Sequence, residues 1–384
     1  MKAIRLVIFA FRDFILRFLP NFNKNKYSFA FIVHSRNAQD SFRQYPFFSF
    51  LPKKFVLFIL KHLWPVVLSK IEGLKSQKDG REIAGYVIAV PLTAKQIIEN
   101  RKLAKKRIIQ AIKLGEKLGA KIVGLGALTS SVTRGGIDLV DKVNINITTG
   151  HAYTGYVVTS HLLKLVDIFC SDRKKILVAI VGATGSVGSI SAQILAKKGF
   201  QNLLLIDLER KTNRFEEAIN KITKIDKNIN IEISHQIKSI NKADYIIAAT
   251  NAPEALIKPE DLKSGAVVVD DAQPSDVSPE VLDREDVLAV EGGIISTPGI
   301  KNNFNFGLKN RINNFCCLGE VLILASQEWK GHYVINRASV EMVEEISNLA
   351  KNLDFTLGEF QNAKEIISEN KLNYIKEIKN KHAL

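Results

Sequence analysis

The chain has 384 residues, enough for two domains, and its 46% hydrophobic share excludes a disordered polymer and a membrane-spanning bundle. Its 54 basic residues outweigh 39 acidic ones, giving a formal charge of +15 that suits phosphates, an acidic protein or an anionic membrane, although heavy use of Lys, Ile and Asn throughout also raises it. Three cysteines, Cys170, Cys316 and Cys317, exclude a disulfide framework and point to a reducing cytoplasm, while the lack of a base-stacking aromatic–basic repeat excludes nucleic acid.

Residues 1–20 mix Lys2, Arg5, Arg12 and Arg17 with Ile4, Val7, Ile8, Phe11, Phe14, Ile15 and Phe18. Arg12 and Asp13 interrupt the apolar stretch, so it reads neither as a secretory signal nor as a membrane span. A basic amphipathic helix on a membrane surface and packing against the protein's own domain are equal alternatives. A first strand is expected over 29–35. Residues 47–51 are unusually apolar, and residues 52–64 alternate Lys53, Lys54 and Lys61 with Phe55, Val56, Phe58, Ile59 and Leu60, the pattern of a basic amphipathic helix. Core packing is the first reading of this region, and contact with a membrane or a long acyl chain is the second. Strands follow at 83–90 and 121–125, with one helix over 94–118 between them, apolar at helical spacing and basic elsewhere. A strand at 143–147 runs into Thr148, Thr149, Gly150 and His151, and a helix over 152–169 comes next. This alternation predicts an α/β domain.

Residues 175–181 are a continuous apolar run, suited to a strand buried on both faces. The run meets Gly182-Ala183-Thr184-Gly185-Ser186-Val187-Gly188 and then a helix over 189–199 closed by Gly199. Such glycines let the backbone turn tightly and let a pyrophosphate approach the helix N-terminus. A second apolar strand at 203–206 ends in Asp207, about twenty residues after the last glycine, where a ribose-binding acid belongs. Thr250 and Asn251 follow a strand at 243–249, on the edge where a doubly wound sheet meets its ligand. Together these predict a dinucleotide site formed by Gly182, Thr184, Gly185, Ser186, Val187, Gly188, Asp207, Thr250 and Asn251. A helix over 212–223, strands at 229–234 and 266–270, and helices over 311–328, 335–353 and 358–379 complete the expected elements.

A nucleotide site does not name a reaction. Short-chain dehydrogenases place a lysine four residues after a tyrosine, and no such pair follows the glycine turn: Tyr245, Tyr333 and Tyr374 are followed by Ala249, Arg337 and Ile378. The segment Asn313-Asn314-Phe315-Cys316-Cys317-Leu318-Gly319-Glu320 instead puts cysteines in the first turn of a helix, where the dipole stabilises a thiolate. A thiolate can take an acyl group from a thioester, and hydride can then release an aldehyde. Adjacent cysteines leading an apolar helix are also ordinary core residues.

The chain resembles the long-chain acyl-[acyl-carrier-protein] reductases, the fatty-aldehyde-forming enzymes best known from cyanobacteria, and their wider bacterial relatives. The resemblance runs from about residue 27 onward and rests on four motifs: Gly124-Leu-Gly-Ala-Leu-Thr-Ser130, Thr148-Thr-Gly-His-Ala-Tyr-Thr-Gly-Tyr156, Val181-Gly-Ala-Thr-Gly-Ser-Val-Gly188 and Phe315-Cys-Cys-Leu-Gly-Glu320. By that resemblance Cys317, three residues before the glutamate, is the acyl-accepting nucleophile. The N-terminal motifs, with Gly124, Gly126 and Gly150, then line the acyl site; structural turns are the competing reading. The family is usually NADPH-dependent with a basic residue after the second strand, whereas Asp207, Leu208 and Glu209 stand here and favour NADH. His151 and Tyr153 are candidate proton donors, at positions where the cyanobacterial enzymes arrange their polar residues differently.

The expected fold is a Rossmann-like doubly wound parallel sheet with a second, N-terminal α/β domain and C-terminal helices. The expected segments are a basic amphipathic stretch over 1–26, an acyl domain over 27–160, the dinucleotide domain over 161–310 and a helical region over 311–384. The expected partner is acyl carrier protein or acyl-CoA, with no metal, in the cytoplasm and with a peripheral contact to an anionic membrane as an added expectation. Two other readings compete: a shikimate- or amino-acid-dehydrogenase-like oxidoreductase with inert cysteines, and a non-catalytic membrane-associated nucleotide-binding protein. The first expects a lysine–aspartate pair in the N-terminal domain, which Lys121 with Asp138 or Asp141 does not match.

Overall fold

A computed structural model describes residues 11–15, 27–36, 50–304 and 306–383. The expectations for residues 1–10, 16–26 and 37–49 lie outside the described residues. The protein is α/β, with helices and two six-stranded sheets, and contacts divide it into two compact units built from interleaved segments. The first contains residues 1–150, 297–308 and 317–336; the second contains 151–296, 309–316 and 337–384. Residues expected as one C-terminal helical region are thus shared between the two units.

The first unit begins with β1 (Ser28–Ser35), α1 (Lys53–His62), β2 (Val66–Lys75), β3 (Glu82–Thr93), α2 (Ala94–Glu99) and α3 (Arg101–Lys117). It continues with β4 (Ala120–Leu125), α4 (Leu128–Val132) and β5 (Asn146–Thr148). The helix expected over 94–118 is two helices. Thr93 and Gln96 form a capping box at the start of α2, and the Asn100 side chain accepts from Leu103 N at 3.0 Å to start α3, so the chain restarts where uninterrupted apolar spacing predicted one rod. The strand β2 was not expected, because lysines and a glutamate dilute it. Its side chains nonetheless alternate between the interior and solvent, with Val67, Ser69, Ile71 and Leu74 buried. Strands β3, β1, β4 and β5 run parallel, and β2 joins β3 antiparallel. Ile32, Ile88, Ile108, Ile112, Val123, Leu125 and Ile147 form the core between this sheet and α3.

The second unit holds α5 (His151–Ile168), β6 (Leu177–Val181), α6 (Ser186–Lys197), β7 (Asn202–Ile206), α7 (Asn213–Thr223), β8 (Asn230–Ser234), β9 (Tyr245–Ala248), β10 (Val267–Asp270) and β11 (Leu288–Glu291). Its sheet is parallel throughout, in the order β11-β10-β9-β6-β7-β8, the arrangement of a Rossmann-like fold. Both faces are covered, which is why its strands lack polar alternation. Val178, Ile180, Leu203, Leu205, Ile247 and Val269 point to one apolar layer, while Ala179, Val181, Leu204, Ile206, Ile246 and Val268 point to the other.

Short strands β12 (Ile294–Ser296) and β13 (Lys301–Asn302) precede β14 (Asn313–Phe315). Then come α8 (Cys316–Ser326), α9 (Val340–Lys351), β15 (Thr356–Leu357) and α10 (Glu369–Ala383). The helix expected from residue 311 begins at Cys316, because residues 313–315 pair antiparallel with β12 instead. Likewise the helix expected over 358–379 starts only at Glu369, since β15 and an irregular stretch precede it. Among the described residues no helix is long and apolar enough to cross a membrane.

Candidate functional site

In the second unit, β6 delivers the chain into the glycine turn. Gly182 has φ +84°, and a methyl group there would lie 2.5 Å from the Ala249 carbonyl oxygen. A methyl at Gly188 would lie 2.4 Å from the Gly182 oxygen, so α6 packs onto the turn only because both residues are glycine. Gly185 is the N-cap of α6 and offers no side chain to its first turn, whose N–H groups are left available for a pyrophosphate. Gly185, Ser186 and Val187 are partly exposed, whereas Thr184 is buried. The turn is also held by residues that sequence reasoning passed over. Arg337 donates to the Thr184 carbonyl at 3.2 Å, and Ala338 N donates to Ser186 Oγ at 3.3 Å.

Asp207 sits at the end of β7 as expected, but its carboxylate is already committed. Oδ2 accepts from Thr184 N at 3.0 Å and Thr184 Oγ1 at 2.6 Å; Oδ1 accepts from Leu208 N and Lys211 Nζ, both at 2.8 Å. Burial alone would raise its pKa, yet the hydrogen bonds from Lys211 and Thr184 prevail and hold it below the ordinary carboxylate range. Lys211 thereby neutralises the acid that was expected to favour NADH.

Thr250, at the end of β9, donates from N and Oγ1 to Asp276 at 3.0 and 2.5 Å, while Asn251 is exposed. Asp276 belongs to a carboxyl trio after β10. Burial and the neighbouring Asp276 push Asp270 up to about 7, and burial pushes Asp276 to about 6. Asp271 is raised further by burial and by both neighbours. A methyl at Gly293 would lie 2.5 Å from Asp271 Oδ1 and 3.1 Å from Cys316 Sγ, so this glycine lets the carboxyl and the sulfur pack tightly.

The two cysteines differ sharply. Cys316 is 2% exposed and its thiol donates to Thr154 Oγ1 at 3.1 Å, which spends it in packing. Cys317, the second residue of α8, is half-buried and so open to a reactant, next to the positive end of the helix. Gly150 fits against it: at φ +80°, a methyl there would lie 2.6 Å from Cys317 Cβ and 2.7 Å from its Cα. Glu320, one turn on from Cys317 and fully buried, holds this turn in place. Its Oε1 accepts from Gly150 N at 3.0 Å and from the Thr148 hydroxyl. Residues 332–334 brace the same strand, with Ile147 N donating to His332 Nδ1 at 3.1 Å and Thr149 N to the Val334 carbonyl at 3.2 Å. The motifs at 148–150 and 317–320 are therefore one assembly. In the sequence Glu320 served only as the landmark that places Cys317 in its motif, and no role of its own was attached to it.

Gly124 lies within β4 and Gly126 just after it, and both are closely packed. A methyl at Gly124 would touch Phe31 and Val321 at 3.0 Å, and one at Gly126 would come within 2.9 Å of the Ile32 carbonyl. His151, the first residue of α5, is half-buried. Tyr153 is fully buried and lies 5.9 Å from Tyr156 between ring centroids; burial, aided by Cys316 and Tyr156, raises its pKa well above that of an ordinary tyrosine. Among the described residues no group of three His, Cys, Asp or Glu could hold a metal ion.

Residues 164–291 match the family Shikimate / quinate 5-dehydrogenase. The chain is 24% identical over 287 residues to the long-chain acyl-[acyl-carrier-protein] reductase of Synechococcus elongatus, covering 70% of this chain and 79% of that one. It is 25% identical over 282 residues to the aminotransferase PigE of a Serratia species, covering 72% of this chain but only 32% of that much longer protein. Quinate dehydrogenase from Corynebacterium glutamicum, solved with NAD, shares 15% identity with a TM-score of 0.31, over 64% of this chain and 79% of that one. Apart from that aminotransferase, these likenesses are to a wider group of reductases and dehydrogenases. Geometry and relatives together support NADH or NADPH as the cofactor.

Proposed function

We propose that the protein is an acyl-thioester reductase: Cys317 takes a fatty acyl group from carrier protein or coenzyme A, and NADH or NADPH reduces it to an aldehyde. The observation that carries this reading is the half-buried Cys317 at the N-terminus of α8, seated against Gly150 by Glu320, beside a Cys316 already spent in packing. The first-turn amides of α8 favour the thiolate. That thiolate adds to the thioester carbonyl, the bond to the carrier sulfur breaks, and the carrier thiol leaves with a proton. We assign that proton to half-buried His151 rather than to Tyr153, whose burial and raised pKa keep its hydroxyl protonated. A nicotinamide cofactor held at the glycine turn by Gly182, Gly185 and Gly188 would supply the hydride that the carbonyl carbon takes up. The bond to Cys317 Sγ then breaks, aldehyde departs, and the thiolate returns to the helix terminus. The chain's basic surplus suits an acidic carrier protein or phosphopantetheine.

Intact-protein mass spectrometry after mixing with palmitoyl-carrier protein, without reductant, tests this reading. A thioester adduct is expected on the wild type and on Cys316→Ala, absent from Cys317→Ala, and discharged as aldehyde by NADH or NADPH. No adduct from carrier protein or from acyl-CoA of several lengths would refute it. Equal loss in both cysteine variants would refute the assignment within the pair.

A second reading, a dehydrogenase with inert cysteines, has the family match over 164–291 and an ion pair between Lys105 and Asp138 in its favour. Arg134 also holds Asp138, through Nε at 2.7 Å, and its hydrogen bond is the largest cause keeping that carboxyl low. A carboxylate clamped this way is a poor proton relay, so we rank this reading second.

A further inference from the structure

Helix α1 is apolar on both sides. Val56 and Leu60 face the interior, and at 100° per residue the opposite, outward face is centred on Phe58 and Phe55. These two rings are 60% and 51% exposed, and Phe50, just ahead of the helix, is 88% exposed. Lys54 and Lys61 flank the rings on one side, with Lys53 at the helix start and His62 at its end. No acidic residue occurs between Phe50 and Ile71. Beside it, the helical turn at 11–15 is tied down by Asp13, whose Oδ2 accepts from Val67 N at 2.8 Å, and by Phe14, whose ring lies 4.7 Å from that of Trp64. That turn adds Phe11 and Ile15 to the exposed apolar surface.

We propose that this face of the first unit docks on an anionic lipid bilayer, with Phe50, Phe55 and Phe58 entering the headgroup–acyl boundary and Lys53, Lys54 and Lys61 on lipid phosphates. Two features favour a membrane over an acidic protein. Phe50, Phe55 and Phe58 are each more than half exposed, and the lysines border them as they do on helices that lie in an interface. Trp64, half-buried at the helix end, suits the headgroup level. The inference is independent of the reaction proposed above.

Co-sedimentation of the full chain with vesicles of phosphatidylcholine, alone or with phosphatidylglycerol added, tests it at low and at high salt. Binding is expected only with phosphatidylglycerol, and high salt is expected to weaken it. Each lysine near an anionic surface contributes about fivefold, so Lys53→Glu/Lys54→Glu/Lys61→Glu is expected to weaken partitioning by about a hundredfold or more. Phe55→Ser/Phe58→Ser is expected to weaken it by about tenfold, from the apolar area no longer buried. All substituted side chains are exposed, and circular dichroism melting checks that the variants fold. Absence of wild-type binding to the anionic vesicles would overturn the proposal, as would binding unchanged by salt or by the phenylalanine variant. Binding of an acidic carrier protein to this face without vesicle binding would overturn it in favour of a protein partner.

Discussion

Replacing Gly150 by alanine tests whether Cys317 is positioned by the turn packed against it. The new Cβ would lie 2.6 Å from Cys317 Cβ and 2.7 Å from Cys317 Cα, against 3.4 Å or more for ordinary contact. The Cα is backbone, so no rotamer change relieves the clash; turn and helix terminus must separate by about 0.7 Å or more. Left-handed φ at Ala contributes roughly 1–2 kcal/mol of strain, and overpacking adds about 1–3 kcal/mol. A displacement approaching 1 Å lowers a positioned reaction by about a hundredfold. Gly80 in the same unit is the control, with φ +73° and nothing within 4 Å of an added methyl, so Gly80→Ala carries the strain without the clash. Rapid-quench mass spectrometry of Cys317 acylation, with thermal melts of all three proteins, gives the comparison. Gly150→Ala is expected to melt lower than Gly80→Ala and to acylate about a hundredfold more slowly than wild type. Wild-type acylation in Gly150→Ala, with no greater loss of stability than in Gly80→Ala, would refute the reasoning.

Glu320→Ala strands the Gly150 amide and the Thr148 hydroxyl without their acceptor, at about 1–3 kcal/mol each. Glu320→Gln keeps an oxygen at that position, so a melt in which Gln is as damaging as Ala would contradict the clamp. Lys211→Ala releases Asp207 Oδ1 to accept from a ribose hydroxyl and removes a nearby positive charge, so fluorescence titration is expected to show affinity shifting from NADPH toward NADH; an unchanged ratio would mean that Asp207 never meets the ribose. The trio Asp270, Asp271 and Asp276 has raised pKa values when folded. The contribution of Asp270 and Asp276 to stability is therefore fully present below the unfolded value near 3.8 and is lost as pH rises through about 7 and 6. Melts between these limits are expected to lose a few kcal/mol, and Asp271→Asn, which removes one charge from the group, is expected to flatten the slope; a melting temperature that rises over this range would contradict it.

The parallel strands of the second unit were legible because covering both faces of a sheet demands uninterrupted apolar residues, as in 177–181 and 203–206. In β2, by contrast, Lys70, Glu72 and Lys75 occupy the solvent-facing positions, and the alternation was lost among them. The short strands β12 to β15 are two or three residues each, too short for any period to register. Asn100 ended one helix and began the next, a capping role that apolar spacing does not report. At the candidate site, sequence placed both cysteines in one helical turn but could not separate them from packing alone. The distinction rests on Thr154 and Gly293 around Cys316, and on Gly150 and Glu320 around Cys317, contacts made across long sequence separations.

The interleaved segments of the first unit have a consequence for how the chain folds during synthesis. Thr148 and Glu320 are separated by 172 positions, and residues 317–336 leave the ribosome after most of the second unit. Until they arrive, β4 and β5 lack the helix that packs over Gly124 and the segment that braces Ile147, so part of their apolar surface waits exposed. Such long-range closure slows folding and lengthens exposure to aggregation. The second unit waits in the same way, because residues 337–384 belong to it and Phe360, Ile367 and Ile375 join its core only after residues 317–336 have been made.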